Sequence, residues 1–118
     1  MGCFSFTKAD RLLKRTEFTH LSKTGKKLQD RYFVIYFSPG QLDNSRLGVT
    51  VTKKVGSSVK RNWIKRLSRE YFRLNRHHLK GPWDINIIAK KQAAQLQTDR
   101  IFSSLDDLFQ RIHKFHAH

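Results

Sequence analysis

The spacing of apolar positions changes several times along the chain, and each change predicts an element. In RLLKRTEFTHLSKTG, from Arg11 to Gly25, the spacing predicts a short helix capped by Thr16 and carrying Phe18, Leu21 and Ser22. Gly25 is expected to end that helix in the left-handed conformation, and Leu12 and Leu13 to pack at its start. From Lys26 to Ser38 the period falls to two, with a brief strand ahead of a longer one whose clearest part is RYFVIYF. Alternation puts Phe33, Ile35 and Phe37 on one face and Tyr32, Val34 and Tyr36 on the other. Ser38-Pro39-Gly40 and Asp43-Asn44 carry turn chemistry, so a hairpin loop is expected to lead into RLGVTVTKK. There Leu47, Val49 and Val51 share a face, opposite Gly48, Thr50 and Thr52. After the break at Gly81-Pro82, DINIIAK predicts another strand, followed by a linker and a last helix capped by Thr98. In that helix Ile101, Phe102, Leu105, Leu108, Phe109 and Ile112 have the spacing of a core face.

The segment between the third and fourth strands, Ser57 to Arg76, is two-faced. With about 100° per residue, Val59, Trp63, Ile64, Leu67, Tyr71 and Leu74 fall on one arc. Arg61, Lys65, Arg66, Arg69, Arg73 and Arg76 fall on the other, together with Asn62 and a Phe72 that would be stranded among charges. Ser57 or Ser58 supplies the N-cap, and Lys53 and Lys54 sit just ahead, where unpaired N–H groups favour an anion. The sheet face of Tyr32 and Tyr36, beside Thr50 and Thr52, reads as half open. It is either an ordinary solvated face or a stacking surface for single-stranded nucleic acid.

Charge sharpens this picture. Lys and Arg number 24 against nine acids, for a net charge of +15. From Lys53 to Arg76 there are nine cations and one acid, Glu70, so more than half of the excess lies in a fifth of the chain. Such a concentration points to a polyanionic partner. The fourteen aromatic residues argue against disorder, and 118 residues are the size of one domain. That domain is expected to span 1–118, with an irregular arm at 1–10 and a tail at 113–118. A single cysteine, Cys3, excludes an intrachain disulfide and suits a reducing cytoplasm. No secretory leader, membrane-length apolar run or myristoylation pattern is expected, since Phe6 stands where the last needs Ser or Thr. There is no GxxxxGK[ST] loop or nucleophile elbow, and the histidines and acids lack metal-ligand or paired-carboxylate spacing. No catalytic residue and no protein-held metal are therefore expected.

Three stretches carry a family resemblance: RLLKRTEF followed by a glycine, RLGVTVTKKVGSSVKRNWIKRLSREYFR, and DINIIAK. The chain resembles the bacterial ribonuclease P protein component. The central passage is the specific part, a TKKVG turn followed by a helix centred on Arg61-Asn62. Ser58 replaces the usual alanine before Val59, Trp63 stands where a basic residue is more common, and Ser22 where some members carry a second aromatic.

The resemblance implies a two-layer α/β (α+β) sandwich in the order αβββαβα, with a four-stranded sheet and a left-handed βαβ crossover, against the general preference. It implies an endoribonuclease subunit that binds the catalytic RNA subunit and the 5′ leader of precursor tRNA in the cytoplasm. The chemistry, with its Mg²⁺ ions, would belong to the RNA, with no membrane and no obligate protein partner. Arg11, Lys53, Lys54, Lys60, Arg61, Asn62, Lys65, Arg66, Arg69 and Arg73 would meet RNA, and Phe18 and Tyr36 would line the leader cleft. The alternative is a structural ribosomal-type RNA-binding protein with no part in cleavage. A DNA-binding regulator would need a second helix across a short turn, where the pattern predicts a strand.

Overall fold

Glu17 starts the first helix. Its Oε1 accepts the Lys14 N–H at 3.1 Å, so α1 runs Arg15–Thr24 with Lys14, not Thr16, at the N-cap. Gly25 follows with φ −77° and ψ 166°, which is extended and not left-handed. Its reason is close approach, since a Cβ there would lie 2.6 Å from the Leu21 carbonyl oxygen and 2.9 Å from that of Phe37. The computed structural model describes residues 10–12, 14–40, 44–79 and 82–116. The expectations for Cys3, Leu13, Asp43, Gly81, His118 and most of the N-terminal arm lie outside them.

Two antiparallel strands come next, β1 (Lys26–Gln29) and β2 (Phe33–Pro39). Asp30 closes the turn between them, its Oδ1 accepting the Tyr32 and Phe33 N–H groups at 2.8 Å each. Ser104 on the last helix donates to the other carboxylate oxygen. The third strand, β3, is Arg46–Thr50, and after the long helix the fourth, β4, is Trp83–Ala89. The element order is thus αβββαβα, and the sheet order is β1-β2-β4-β3, with β4 antiparallel to β2 and parallel to β3.

That order overturns the hairpin expected between β2 and β3. The ends of the connecting loop bond to the start of β4 instead of to each other: Gly40 N–H donates to the Pro82 carbonyl at 2.9 Å, and Trp83 N–H to Ser45 Oγ at 2.9 Å. The physical reason is burial. Ile85, Ile87 and Ala89 are buried on one face of β4 and Asn86 on the other, so this strand needs cover on both faces and a neighbour on both edges. Residues 10–12 in turn cover the outer edge of β3, through an Arg11–Leu47 bridge and the Leu12 N–H donated to the Leu47 carbonyl at 3.0 Å.

One core lies between one sheet face and two helices, α2 (Ser58–Asn75) and α3 (Thr98–His116). Phe33, Ile35, Phe37, Leu47, Ile85 and Ile87 meet Ile64, Tyr71 and Phe72 from α2 and Ile101, Leu105, Leu108, Phe109 and Ile112 from α3. Tyr71 and Phe72 pack edge-on against Phe109, and the buried Tyr71 hydroxyl donates to Asp106 Oδ1 at 2.8 Å. Burial and that carboxylate push its pKa up. Thr98 is the first helical residue of α3, not its cap, because the Gln97 carbonyl already accepts from Arg100 and Ile101. The expected tail is also corrected, since α3 continues through His116. At the other end, Asp10 is buried and paired with Arg76 at 2.7 Å, so the last residue of the expected arm is tied down.

The roll of α2 differs from its hydrophobicity wheel. Its buried residues are Ile64, Ser68, Tyr71 and Phe72, while Val59 is 81% exposed. The buried line is turned by roughly 90° from the apolar centroid, at about 100° per residue. Phe72 is therefore core, not stranded among charges. The sheet and α3 cover only one side, so Val59 projects past them while Trp63 and Leu67 pack at the margin of the core. Accordingly, Phe72→Ala is expected to cost about 3–5 kcal/mol in urea unfolding, and Val59→Ala about 0.5 kcal/mol or less. Equal costs would mean that the helix is rolled the other way.

Candidate nucleic-acid interface

Thr52 to Gly56 turn the chain from β3 into α2, with the Val55 N–H bonded to the Thr52 carbonyl at 3.0 Å. Lys53 and Lys54 are exposed on this turn. Ser57 is the N-cap, its Oγ accepting the Lys60 N–H at 3.2 Å, and the first turn holds no acidic side chain. The positive end of the helix dipole is thus left to an outside anion, with two lysines beside it.

The predicted cations divide by their surroundings. Arg61 is turned back on the helix start, donating from Nε to the Gly56 carbonyl at 3.2 Å and from Nη2 to Ser58 Oγ at 3.1 Å. Arg73 grips Glu70 with two donors, which hold the Glu70 carboxyl below its usual range. Asn62 and Arg66 are exposed, and Lys65 is half-buried. Lys60 lies with its ammonium 4.5 Å from the centre of the Trp63 ring. Arg69 is half-buried next to Arg11, and burial, reinforced by that like charge, lowers its pKa. A guanidinium stays charged under such a shift, so two cations are held together at the outer edge of β3.

Phe18 and Tyr36 lie elsewhere, on the sheet face opposite the core. A single cross-strand row runs Lys27, Tyr36, Asn86, Gly48. Tyr36 is half-buried with the Lys27 ammonium 6.0 Å from its ring centre, and Asn86 is 4% exposed. Phe18 covers the Gly48 end, so closely that a Cβ at Gly48 would meet Phe18 Cε1 at 2.3 Å and Leu12 Cδ1 at 3.3 Å. The next row holds Val34, Ile88 and Thr50, and Thr50 Oγ1 donates to Asn86 Oδ1 at 3.3 Å. The structure thus puts Phe18 and Tyr36 on one sheet face, at the two sides of a strip, here called the trough, that is floored by Val34, Ile88, Thr50 and a buried Asn86. It does not bring them to the outer face of α2.

Three expectations for this face change. Tyr36 is separated from Thr50 by β4, Thr52 lies beyond the strand, and Tyr32 sits in the Asp30 turn packed against the core. Tyr32 shares a hollow with Arg100, Ser103, Ser104 and Asp107, on the α3 side.

What positions α1 has no local signature in the sequence. Arg46 donates from Nε and Nη2 to the two oxygens of Asp84, at 3.1 Å each, and from Nη1 to Glu17 Oε2 at 2.7 Å. This half-buried fork joins β3, β4 and α1, and its pKa is raised, mostly by Asp84. Since Glu17 precedes Phe18, the fork sets where Phe18 lies. The available signals were the lone Asn86 in an isoleucine-rich strand, the charge that opens β3 and the charge at the second position of β4. Nothing in one sequence pairs those charges. Among the described residues, no group of three or more His, Cys, Asp or Glu side chains could hold a metal ion, and no helix is long and apolar enough to cross a membrane.

Comparisons with known proteins agree with this geometry. The family model described as Ribonuclease P matches residues 6–113. The ribonuclease P protein component of Desulfatibacillum aliphaticivorans is 54% identical over 118 residues, covering 100% of both chains. The Staphylococcus aureus RNase P protein structure superposes with a TM-score of 0.82 at 36% identity, over 87% of this chain and 94% of that one. The Thermotoga maritima protein gives 0.79 at 36% identity, over 86% and 96%.

The contact between Gly48 and Phe18 can be tested without any ligand. Gly48→Ala is expected to destabilise by about 1–3 kcal/mol through overpacking, and Phe18→Ala in the same chain to remove most of that cost. Additive losses in the double-mutant cycle would mean that the two residues do not touch.

Proposed function

Since this chain belongs to the ribonuclease P protein component family, we propose that it binds the catalytic RNA subunit through α2 and the turn before it, and holds the 5′ leader of precursor tRNA in the trough of Phe18 and Tyr36. The observation that carries the reading is the charge of Lys53–Arg76, nine cations against a Glu70 that Arg73 already engages. Such a surface is repelled by its own charge until phosphates neutralise it, and binding then releases condensed counterions. The family places the chain in an endoribonuclease that matures tRNA 5′ ends, which leaves the ribosomal-type alternative without support.

In this reading the protein contributes no reacting group. Any Mg²⁺ that assists the phosphodiester chemistry would be held by the RNA. What the chain supplies is position and charge. Lys53, Lys54, Lys60, Arg66 and Arg69 with Arg11 lower the repulsion between two polyanions. Arg61, Lys65 and Arg73 add to the same field, while Arg61 and Arg73 also hold the helix surface in shape. Phe18 and Tyr36 present ring edges and faces to unpaired bases, on either side of a buried Asn86 that Thr50 already engages. The cytoplasm, where precursor tRNA is found, is the location this proposal requires.

Reconstitution tests the whole reading: adding the protein to its cognate RNA subunit is expected to raise leader cleavage at low Mg²⁺ and moderate salt, and no rise would overturn it. Arg66→Ala or Arg69→Ala is expected to weaken RNA binding and to flatten its log-log salt dependence by roughly 0.7 per lost phosphate contact on single strands. An unchanged slope would put those side chains off the RNA. Phe18→Ala is expected to weaken binding of leader-bearing substrate by about 1–3 kcal/mol and to spare leaderless tRNA. Equal loss on both would locate the defect in folding.

A further inference from the structure

The outer edge of α2 carries a feature that phosphate binding does not explain. Val59 is 81% exposed, the most exposed large apolar side chain among the described residues. One turn on, Trp63 is only half-buried. With Ser57, Lys60, Asn62 and Arg66 they line a hollow of about 640 Å³. Its volume is in the range of small-ligand sites. Val59, Asn62 and Arg66 lie on the side of α2 away from Ile64, Ser68, Tyr71 and Phe72, hence away from the sheet and from the Phe18–Tyr36 trough.

The lining identifies an occupant. It offers an indole, a β-branched apolar side chain, two cations, an amide with both donor and acceptor, and no acid. An apolar partner surface would use Trp63 and Val59 but would leave Lys60 and Arg66 facing it unneutralised. A phosphate alone would use the cations but not the apolar pair. A nucleotide uses all of them, with a flat base on the indole, a phosphate between the cations, and a base edge on the amide.

We propose that this hollow seats one unpaired, splayed-out nucleotide of the catalytic RNA subunit. Its base lies against Trp63 and Val59, its phosphate on Lys60 and Arg66, and Asn62 bonds to the base edge. In the unbound protein the Lys60 ammonium lies 4.5 Å from the Trp63 ring centre. A cation–π contact at an exposed site is weak, so a phosphate can draw the ammonium aside and free the ring for the base. The RNA subunit is the source because the leader trough is on the far side of the sheet. The inference rests on the function proposed above.

Tryptophan emission tests it in the full-length protein. The other indole, Trp83, is 6% exposed and packed edge-on against Phe37. A Trp63→Phe chain at equal concentrations gives the baseline. Titrating the cognate RNA subunit is expected to quench the wild-type emission and to leave the Trp63→Phe baseline unchanged, whereas precursor tRNA alone gives no quenching. Trp63→Leu, which keeps an apolar side chain but no ring, is expected to weaken binding to the RNA subunit by about 5- to 150-fold with an unchanged salt slope. Trp63→Phe is expected to lose less. Unquenched emission in the bound complex, or wild-type affinity for Trp63→Leu, overturns the proposal. Quenching by precursor tRNA alone overturns the assignment to the RNA subunit. If Trp63→Leu fails to fold, the wild-type emission still decides. A wild-type chain that neither binds the RNA subunit nor raises cleavage refutes the function first, whereas one that does both without quenching refutes only the base seat.

Discussion

The place of β4 in the middle of the sheet constrains the rest of the molecule. A strand with Ile85, Ile87 and Ala89 buried on one face and Asn86 buried on the other, where Asp84 and Ile88 are partly exposed, belongs inside the sheet and not at its edge. Its core face needs α2 and α3; its other face lies under α1. Its edges need β2 and β3, so those two strands, though consecutive in the chain, cannot be neighbours. The connection that carries the chain from β3 to β4 is the cationic helix, which thereby packs on the core side with its first turn beside the end of β3.

Two separate surfaces follow from that arrangement. The trough opens on the α1 face of the sheet, where Gly48 lets Phe18 descend onto the backbone and Asn86 lies on the floor. The α2 surface lies on the opposite layer, with Arg11 and Arg69 near the edge where the two layers meet. The cations from Lys53 to Arg76 are not equivalent. Arg61, Arg73 and Arg76 each have an intrachain partner that sets their orientation, and through it the shape of the surface. Lys53, Lys54 and Arg66 stand exposed. A basic segment built this way combines a fixed framework with exposed cations.

Arg46 connects the fold to the trough. Its two donors to Asp84 tie the first residue of β3 to β4, and its third reaches Glu17, which also caps α1. A fork shared by two half-buried carboxylates leaves both poorly satisfied when it is removed, so the position of α1 on the sheet is held strongly. The distance from Phe18 to Gly48 therefore depends on Arg46, Asp84 and Glu17, none of which lies in that row.

Local pattern determined much of this protein. The order αβββαβα, the faces of β2, the core face of α3 and the cationic character of Ser57–Arg76 all follow from periodicities and charges within about twenty consecutive residues. The Arg61-Asn62 signature named the family. What the pattern could not reach was every relation between distant segments. The hairpin between β2 and β3 was the natural expectation from a turn between two strands, and only the burial of β4 on both faces excludes it. The wheel of α2 placed Phe72 among charges, because hydrophobicity alone does not say on which side the sheet and α3 lie. Gly25 looked like a left-handed cap and is instead a point of contact with Phe37. Asn86, Gly48 and the Arg46 fork acquire their roles from residues tens of positions away, through register and packing that exist only once the sheet has formed.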